Sequence, residues 1–244
     1  MEIMDTPAFI ISIEKSYHRR PAYFVTTGLG GKILALPVQA VYNEEKQEGC
    51  EGLGSEYELK FQADPRILED VLRCFPGEIR EYAMETTYYD TPDGAFSRLY
   101  YTLRRRMENG KSVCTLKTPG EKGAREEWEV LCPDIREALP KIQALGAPAM
   151  PSGEISPICG AKFLRRTKML TYNHSTAELA CDLGILTGGG KEQGLCEIEI
   201  ELKSGTRQDV NDLGRELAER FSLRMEPDSK FARAQRLYKG GQPC

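Results

Sequence analysis

The sequence is poor in imidazole: His18 and His174 are the only two histidines in 244 residues. A Ser-His-Asp or Cys-His relay needs an imidazole beside its nucleophile, so that chemistry has little room here. Long apolar runs are also missing. The best candidates, Ala8–Ile13 and Ile33–Val38, fall far short of the roughly 20 residues a membrane-spanning helix needs. No basic segment leads into an apolar stretch near the N-terminus, so no secretory signal is expected. The 8 cysteines include no C-x-x-C pair and no histidine at zinc-ligand spacing. Free thiols in a reducing cytoplasm are therefore expected, not disulfides or a thiolate zinc site. Nor is there a surplus of positive charge: 33 Lys+Arg stand against 37 Asp+Glu, a net charge of −4. That balance argues against nucleic acid as the partner. A composition of 40% hydrophobic and 29% charged residues remains, which is that of a globular chain.

Residues 1–54 carry Gly-rich punctuation, Gly28-Leu29-Gly30-Gly31 and Gly49 to Gly54, and show no sustained period of 2 or 3.6. They read as an N-terminal extension of uncertain order. From Ser55 onward a period of 2 sets in and recurs. Glu56–Gln62, Thr86–Thr91, Tyr101–Met107, Ser112–Thr118, Glu126–Cys132, Phe163–Tyr172, Ala177–Leu186 and Leu195–Lys203 read as eight strands. Asn109-Gly110 between two of them is a strong hairpin signal. Helical spacing is confined to Pro65–Phe75, Ile135–Leu145, Val210–Phe221 and Lys230–Leu237. The class is α+β with antiparallel strands.

Alternate residues of a strand share a face, and here the faces separate charge from apolar bulk. Glu56, Glu58 and Lys60 oppose Tyr57, Leu59 and Phe61; Glu197, Glu199 and Glu201 oppose Cys196, Ile198, Ile200 and Leu202. Arg104 pairs with Arg106, Arg125 with Glu127 and Glu129, Arg166 with Lys168, and Glu178 with Asp182. A polar strand face can simply be wet. However, full charges of one sign stacked on single strands repel one another, and something must offset that repulsion. A divalent cation would serve the glutamates, and a polyanion would serve the arginines and lysines. Eight antiparallel strands suffice to close a small barrel, with its charged faces inward and its helices packed outside.

Glu56-x-Glu58-x-Lys60 resembles the E-x-E-x-K signature of the CYTH family, the triphosphate tunnel metalloenzymes. Further elements follow in order: Tyr88-Tyr89-Asp90-Thr91-Pro92, Leu103-Arg104-x-Arg106, Thr115-Leu116-Lys117, Arg125-x-Glu127-x-Glu129, Arg166-x-Lys168, Glu178 with Asp182, Glu199-x-Glu201 and Ser229-Lys230. The resemblance covers residues 55–240 and is similar in form to the bacterial inorganic triphosphatase branch.

It implies an eight-stranded antiparallel tunnel that hydrolyses the terminal phosphate of a triphosphate, inorganic tripolyphosphate first among the substrates, with Mg²⁺ or Mn²⁺. Under it, Glu56, Glu58, Glu199 and Glu201 hold metal, while Glu58, Glu201 and Asp182 serve catalysis. Glu197 assists the metal set or sits at the rim. Lys60, Arg104, Arg106, Lys117, Arg125, Arg166, Lys168, Lys230 and Arg233 cradle phosphate. A thiamine or nucleotide triphosphatase, an adenylyl cyclase and a non-enzymatic polyphosphate-binding module are the alternatives. The partner expected is a small-molecule triphosphate, with no nucleic acid and no membrane; oligomeric state is not legible.

Overall fold

The computed structural model describes residues 57–120 and 125–240; Glu56 and the expected 1–54 extension lie outside them. The elements follow in the order β1 (Glu58–Gln62), a 3₁₀ turn (Pro65–Ile67), α1 (Leu68–Arg73), β2 (Arg80–Asp90), α2 (Ala95–Arg98), β3 (Thr102–Glu108), β4 (Lys111–Pro119), β5 (Arg125–Leu131) and α3 (Ile135–Ala144). They continue with β6 (Ser156–Tyr172), β7 (Ser175–Gly188), β8 (Lys191–Ser204), α4 (Arg207–Phe221), β9 (Arg224–Met225) and α5 (Lys230–Tyr238). All eight expected strands are present. β2 and β6 begin six and seven residues earlier than their aromatic and β-branched cores suggested (80 against 86, 156 against 163). The two-residue β9 is an addition that extends the edge beside β1.

One antiparallel sheet runs β5-β4-β3-β2-β6-β7-β8-β1-β9. Its hairpins form where turn chemistry allows them. Asn109 and Gly110 both take positive φ, at 45° and 87°, as a tight hairpin between right-twisted strands requires. The side chain of Asn109 also accepts a hydrogen bond from the Ala83 N–H at 2.9 Å. α3 starts at an Asp134 cap that accepts from the Arg136 and Glu137 N–H groups, satisfying donors the first turn leaves open.

The apolar face of the sheet carries most of the helices. α1 and α4 cover β1, β6, β7 and β8 through Leu68, Val71, Leu72, Val210, Leu213 and Leu217, packed on Phe61, Leu179, Ile198 and Ile200. α3 covers β3 to β5 through Ile135, Ala138 and Ile142, against Leu103, Leu116 and Trp128. Full burial of each Val, Leu, Ile or Phe side chain among them is worth about 1.5–3 kcal/mol, and together they fix which face of these strands looks away from the helices.

α5 departs from the expected outer position and packs on the charged face. Phe231, Ala234 and Leu237 meet Met84, Tyr88, Phe163, Leu186 and Leu195, and the Tyr88 and Phe231 rings stand 5.0 Å apart. Gly188 permits this approach: a Cβ there would lie 2.5 Å from the Ala234 carbonyl oxygen and 2.8 Å from the Tyr238 nitrogen. The charged face is sheltered away from α5 as well. The Arg104 and Arg106 side chains are only 14% and 17% exposed, although both sit on a strand face opposite the α3 core. Among the described residues the end strands β5 and β9 do not pair with each other.

Candidate active site

Strand register brings the charges into rows. Glu58 of β1 lies opposite Glu201 of β8, which lies opposite Glu178 of β7. The next row is Lys60, Glu199 and Ala180; the third is Gln62, Glu197 and Asp182, continued by Arg165 of β6. Burial deepens along this series on β7 and β8, from half-buried Glu178 and Glu201 to fully buried Asp182 and Glu197, whereas on β1 both Glu58 and Gln62 are exposed.

The deep end is a cluster of three carboxylates interleaved with three cations. One oxygen each from Asp182, Glu197 and Glu199 falls within 4.8 Å of the others, a spacing that could hold a metal ion. Lys230, the first residue of α5, contacts all three: Asp182 at 2.7 Å, Glu199 at 2.9 Å, and Glu197. Arg165 forks onto Asp182, Nε to Oδ1 at 2.8 Å and Nη2 to Oδ2 at 2.7 Å, and also reaches Glu199. Arg233 joins Glu197 to Glu226, the latter at 3.2 Å, and Gln62 donates to Glu226 at 2.9 Å. Burial alone would raise the Glu199 pKa, but Lys230 and Arg165 outweigh it and hold the carboxyl well below the usual range. Burial pushes Glu197 upward against the opposing pull of Lys230 and Arg233. Burial would lower Lys230, yet Glu199, Asp182 and Glu197 carry it above the ordinary lysine value. Three carboxylates and three cationic side chains thus stand interleaved in one buried cluster. Its donors are all hard oxygens, the set that suits Mg²⁺ or Mn²⁺.

The other half of the interior is basic. Arg104 and Lys117 share Glu127, at 3.2 and 2.9 Å. Arg125 donates to the Tyr100 and Lys117 carbonyls and to the Thr102 hydroxyl. Arg106 pairs with Glu108 at 2.7 Å, yet its buried Nε meets no acceptor among the described residues. Burial, then the like charge of Arg104, lowers the Arg106 pKa. A guanidinium so placed gains from an anion drawn in beside it.

Two expected phosphate ligands lie elsewhere. Register puts Arg165, Thr167 and Met169 on the charged face with Asp182, Ala180 and Glu178, so Arg166 and Lys168 face the helices. Arg166 pairs with Glu69 of α1 at 2.5 Å. Lys168 is buried and donates to the Leu72 and Phe75 carbonyls at 2.8 and 2.7 Å, groups a helix C-terminus leaves open. Arg165 takes the inward place. The structure brings Asp182, Glu199, Lys230 and Arg233 into one cluster, with Lys60 bound to Glu58 at 3.1 Å at its edge. Glu58 and Glu201 flank it from the outer row, and Glu197 lies at its centre, not at a rim. Glu226, from the loop before α5, had no periodic signal to reveal it.

The profile of the CYTH domain family matches residues 54–234. An inorganic triphosphatase from Haemophilus influenzae is 32% identical over 195 residues, covering 76% of this chain and 54% of that protein. The chain therefore spans about half the length of that curated relative. HpAC1 from Hippeastrum, an adenylyl cyclase candidate with a dominant triphosphatase activity, superposes with a TM-score of 0.53 at 20% identity, covering 77% of this chain and 97% of that one. The PH1819 protein of Pyrococcus horikoshii OT3 gives 0.50 at 22% identity, covering 76% and 99%. These two likenesses concern the fold alone. The family match, spanning nearly the whole described sheet and the helix that enters it, places this chain in the CYTH domain family.

Proposed function

We propose that this chain is a metal-dependent triphosphatase that releases the terminal phosphate of a triphosphate, with inorganic tripolyphosphate as its leading substrate. The observation that carries the reading is the enclosure of both charge sets on one interior face. A bare polyphosphate receptor needs only the basic half; the buried carboxylates of Asp182, Glu197 and Glu199 add the half that a receptor does not use. The name of the Haemophilus influenzae relative supports the same substrate class.

In this reading Glu199, Glu197 and Asp182, with Glu58 and Glu201 beside them, hold Mg²⁺ or Mn²⁺. The cation supplies charge neutralisation on the phosphate oxygens and makes water a better nucleophile there. Arg104, Arg106, Lys117, Arg125 and Lys60 grip the polyanion, the arginines through forked contacts. Arg165 stays on Asp182 and Glu199 and fixes their orientation. Phosphoryl transfer leaves little covalent work for a protein, so positioning and charge account for the acceleration, and the scarcity of histidine is no handicap. Cytoplasmic placement belongs to the same reading, supported by the free state of the six cysteines among the described residues; no described helix is long and apolar enough to cross a membrane.

The test is phosphate release from tripolyphosphate, ATP and thiamine triphosphate, each with Mg²⁺, Mn²⁺ or chelator. Metal-dependent turnover with tripolyphosphate favoured by roughly tenfold, about 1.4 kcal/mol in kcat/KM, is expected. Preference for an organic triphosphate would replace the substrate and keep the mechanism. Tight binding without turnover of any of the three would overturn the enzyme reading.

A further inference from the structure

The acid cluster already holds its counter-charge. Asp182, Glu197 and Glu199 bring three negative charges; Lys230, Arg165 and Arg233 bring three positive ones. A divalent cation entering this assembly would leave it with uncompensated positive charge in a buried site, even with Glu226 counted beside Arg233, which is costly. One of the resident cations must give way, and their attachments differ. Arg165 is locked by a two-point fork on Asp182. Arg233 is shared with Glu226, outside the three carboxylates. Lys230 alone among the three touches every carboxylate of the cluster and has no anionic partner elsewhere among the described residues.

We infer that Lys230 is the internal counter-ion of the metal-free site: its ammonium occupies the carboxylate cluster until a divalent cation displaces it, and the freed ammonium is then available to a phosphate oxygen. The inference rests on the proposed metal site and adds the exchange. Lysine suits this part because its charge is compact and sits on a flexible four-carbon stem. The helix need not move with it. α5 is held by the Arg233–Glu226 pair, by the Tyr88–Phe231 ring contact and by the Gln235 amide, which donates to the Ser97 hydroxyl at 2.6 Å. Ser97 in turn is bound by buried Asp90, which also accepts from the Phe96 N–H at 2.9 Å. Only the side chain of Lys230, the first residue after the Ser229 cap, has to swing. The ring of Phe163, 5.1 Å below the ammonium, lines one side of its path.

The exchange makes a paradoxical prediction. Removing Lys230 strips counter-charge from buried carboxylates and weakens the metal-free fold, but it also removes the competitor of the metal. Mn²⁺ titrated by calorimetry into the chelator-stripped full chain should bind Lys230→Met roughly tenfold tighter than the wild type. The melting temperature of the variant should be lower in chelator and should rise further than that of the wild type on adding Mn²⁺. Unchanged or weaker affinity overturns the exchange, as does an absence of Mn²⁺ binding to either form. Should Lys230→Met fail to fold, the wild-type chain still gives the answer through amine acylation read by peptide mass spectrometry. Lys230 should label slowly in chelator and several-fold faster in saturating Mn²⁺, and a rate indifferent to Mn²⁺ overturns the proposal. Tripolyphosphate hydrolysis assayed on the same wild-type sample separates the two readings: loss of turnover with the cation exchange intact would sink the triphosphatase reading alone.

Discussion

Arg165 and Asp182 stand opposite each other on neighbouring strands and meet in a two-point fork, 2.8 Å and 2.7 Å, with the carboxylate fully buried. The fork fixes the facing of β6. With Arg165 turned inward, Arg166 must turn outward, where it meets Glu69.

The pair of adjacent arginines therefore predicts opposite phenotypes. Arg165→Ala should leave Asp182 and Glu199 without their partner and cut triphosphatase kcat by roughly a hundredfold or more, the scale of losing a charged positioning group at a reacting centre. Arg166→Ala removes a half-exposed ion pair to α1, worth at most about 1 kcal/mol, and should leave kcat and KM within roughly twofold of wild type. Steady-state kinetics on the two variants check this, and equal losses would mean that the inward and outward assignments are wrong.

Lys168 should report on stability and be silent in catalysis. Its buried ammonium closes the end of α1 by donating to two carbonyls. Lys168→Met keeps the stem volume but leaves those carbonyls unpaired, at a cost of about 1–3 kcal/mol. Urea unfolding should show that loss, while the KM for tripolyphosphate stays within roughly twofold of wild type. A raised KM with unchanged stability would put Lys168 back on the phosphate path.

The contrast between these residues shows how far the sequence reaches. β8 was legible because Glu197, Glu199 and Glu201 alternate strictly with Ile198, Ile200 and Leu202, so only one assignment of faces buries the apolar set. β6 gives no such choice. Phe163, Leu164, Met169 and Leu170 supply apolar groups to both faces, and Arg165, Arg166 and Lys168 supply cations to both, so parity there is set by the register with Asp182. Four of the five helices were legible as helices, the four-residue α2 being too short to show a period, but the sequence does not say which sheet face receives each one. α5 carries Phe231, Ala234 and Leu237 on a stripe that any apolar surface could bury, and its inward docking depends on the space at Gly188 and the ion pairs of Lys230 and Arg233. Glu226 belongs to a loop whose role exists only once α5 is docked.

The buried thiols make the protein less stable in alkali. Burial pushes Cys159 and Cys181 from 9.0 up to about 12. The unfolded chain loses these protons at the ordinary value and the folded chain keeps them, so the folded state binds more protons between the two. Stability from these groups is complete below about 9 and is lost as pH rises toward about 12. Urea midpoints should fall as pH rises from about 9 toward about 12, the window those shifts define, and Cys159→Ala with Cys181→Ala should flatten that fall. The same burial should keep both thiols unreactive to a disulfide reagent at neutral pH until the chain unfolds. Rapid labelling of either in the native protein would contradict their placement.

Gly188 tests whether the docking of α5 serves the site. Its backbone faces the helix so closely that the methyl of Gly188→Ala would fall 2.5 Å from one α5 backbone atom and 2.8 Å from another, and backbone cannot yield as a side-chain tip can. The helix must shift away from β7, at a cost of about 1–3 kcal/mol for such overpacking. Because α5 carries Lys230 and Arg233 into the carboxylate cluster, even a small shift disturbs their contacts. Activity should then fall further than stability: kcat down by roughly tenfold or more in a protein that still unfolds cooperatively. Gly190, in the same hairpin with nothing within 4 Å of an added methyl, provides the control. Its positive φ of 74° makes Gly190→Ala mildly destabilising, yet turnover should stay near wild type. If the two substitutions lowered kcat alike, the close packing of α5 on β7 would have no part in arranging the site.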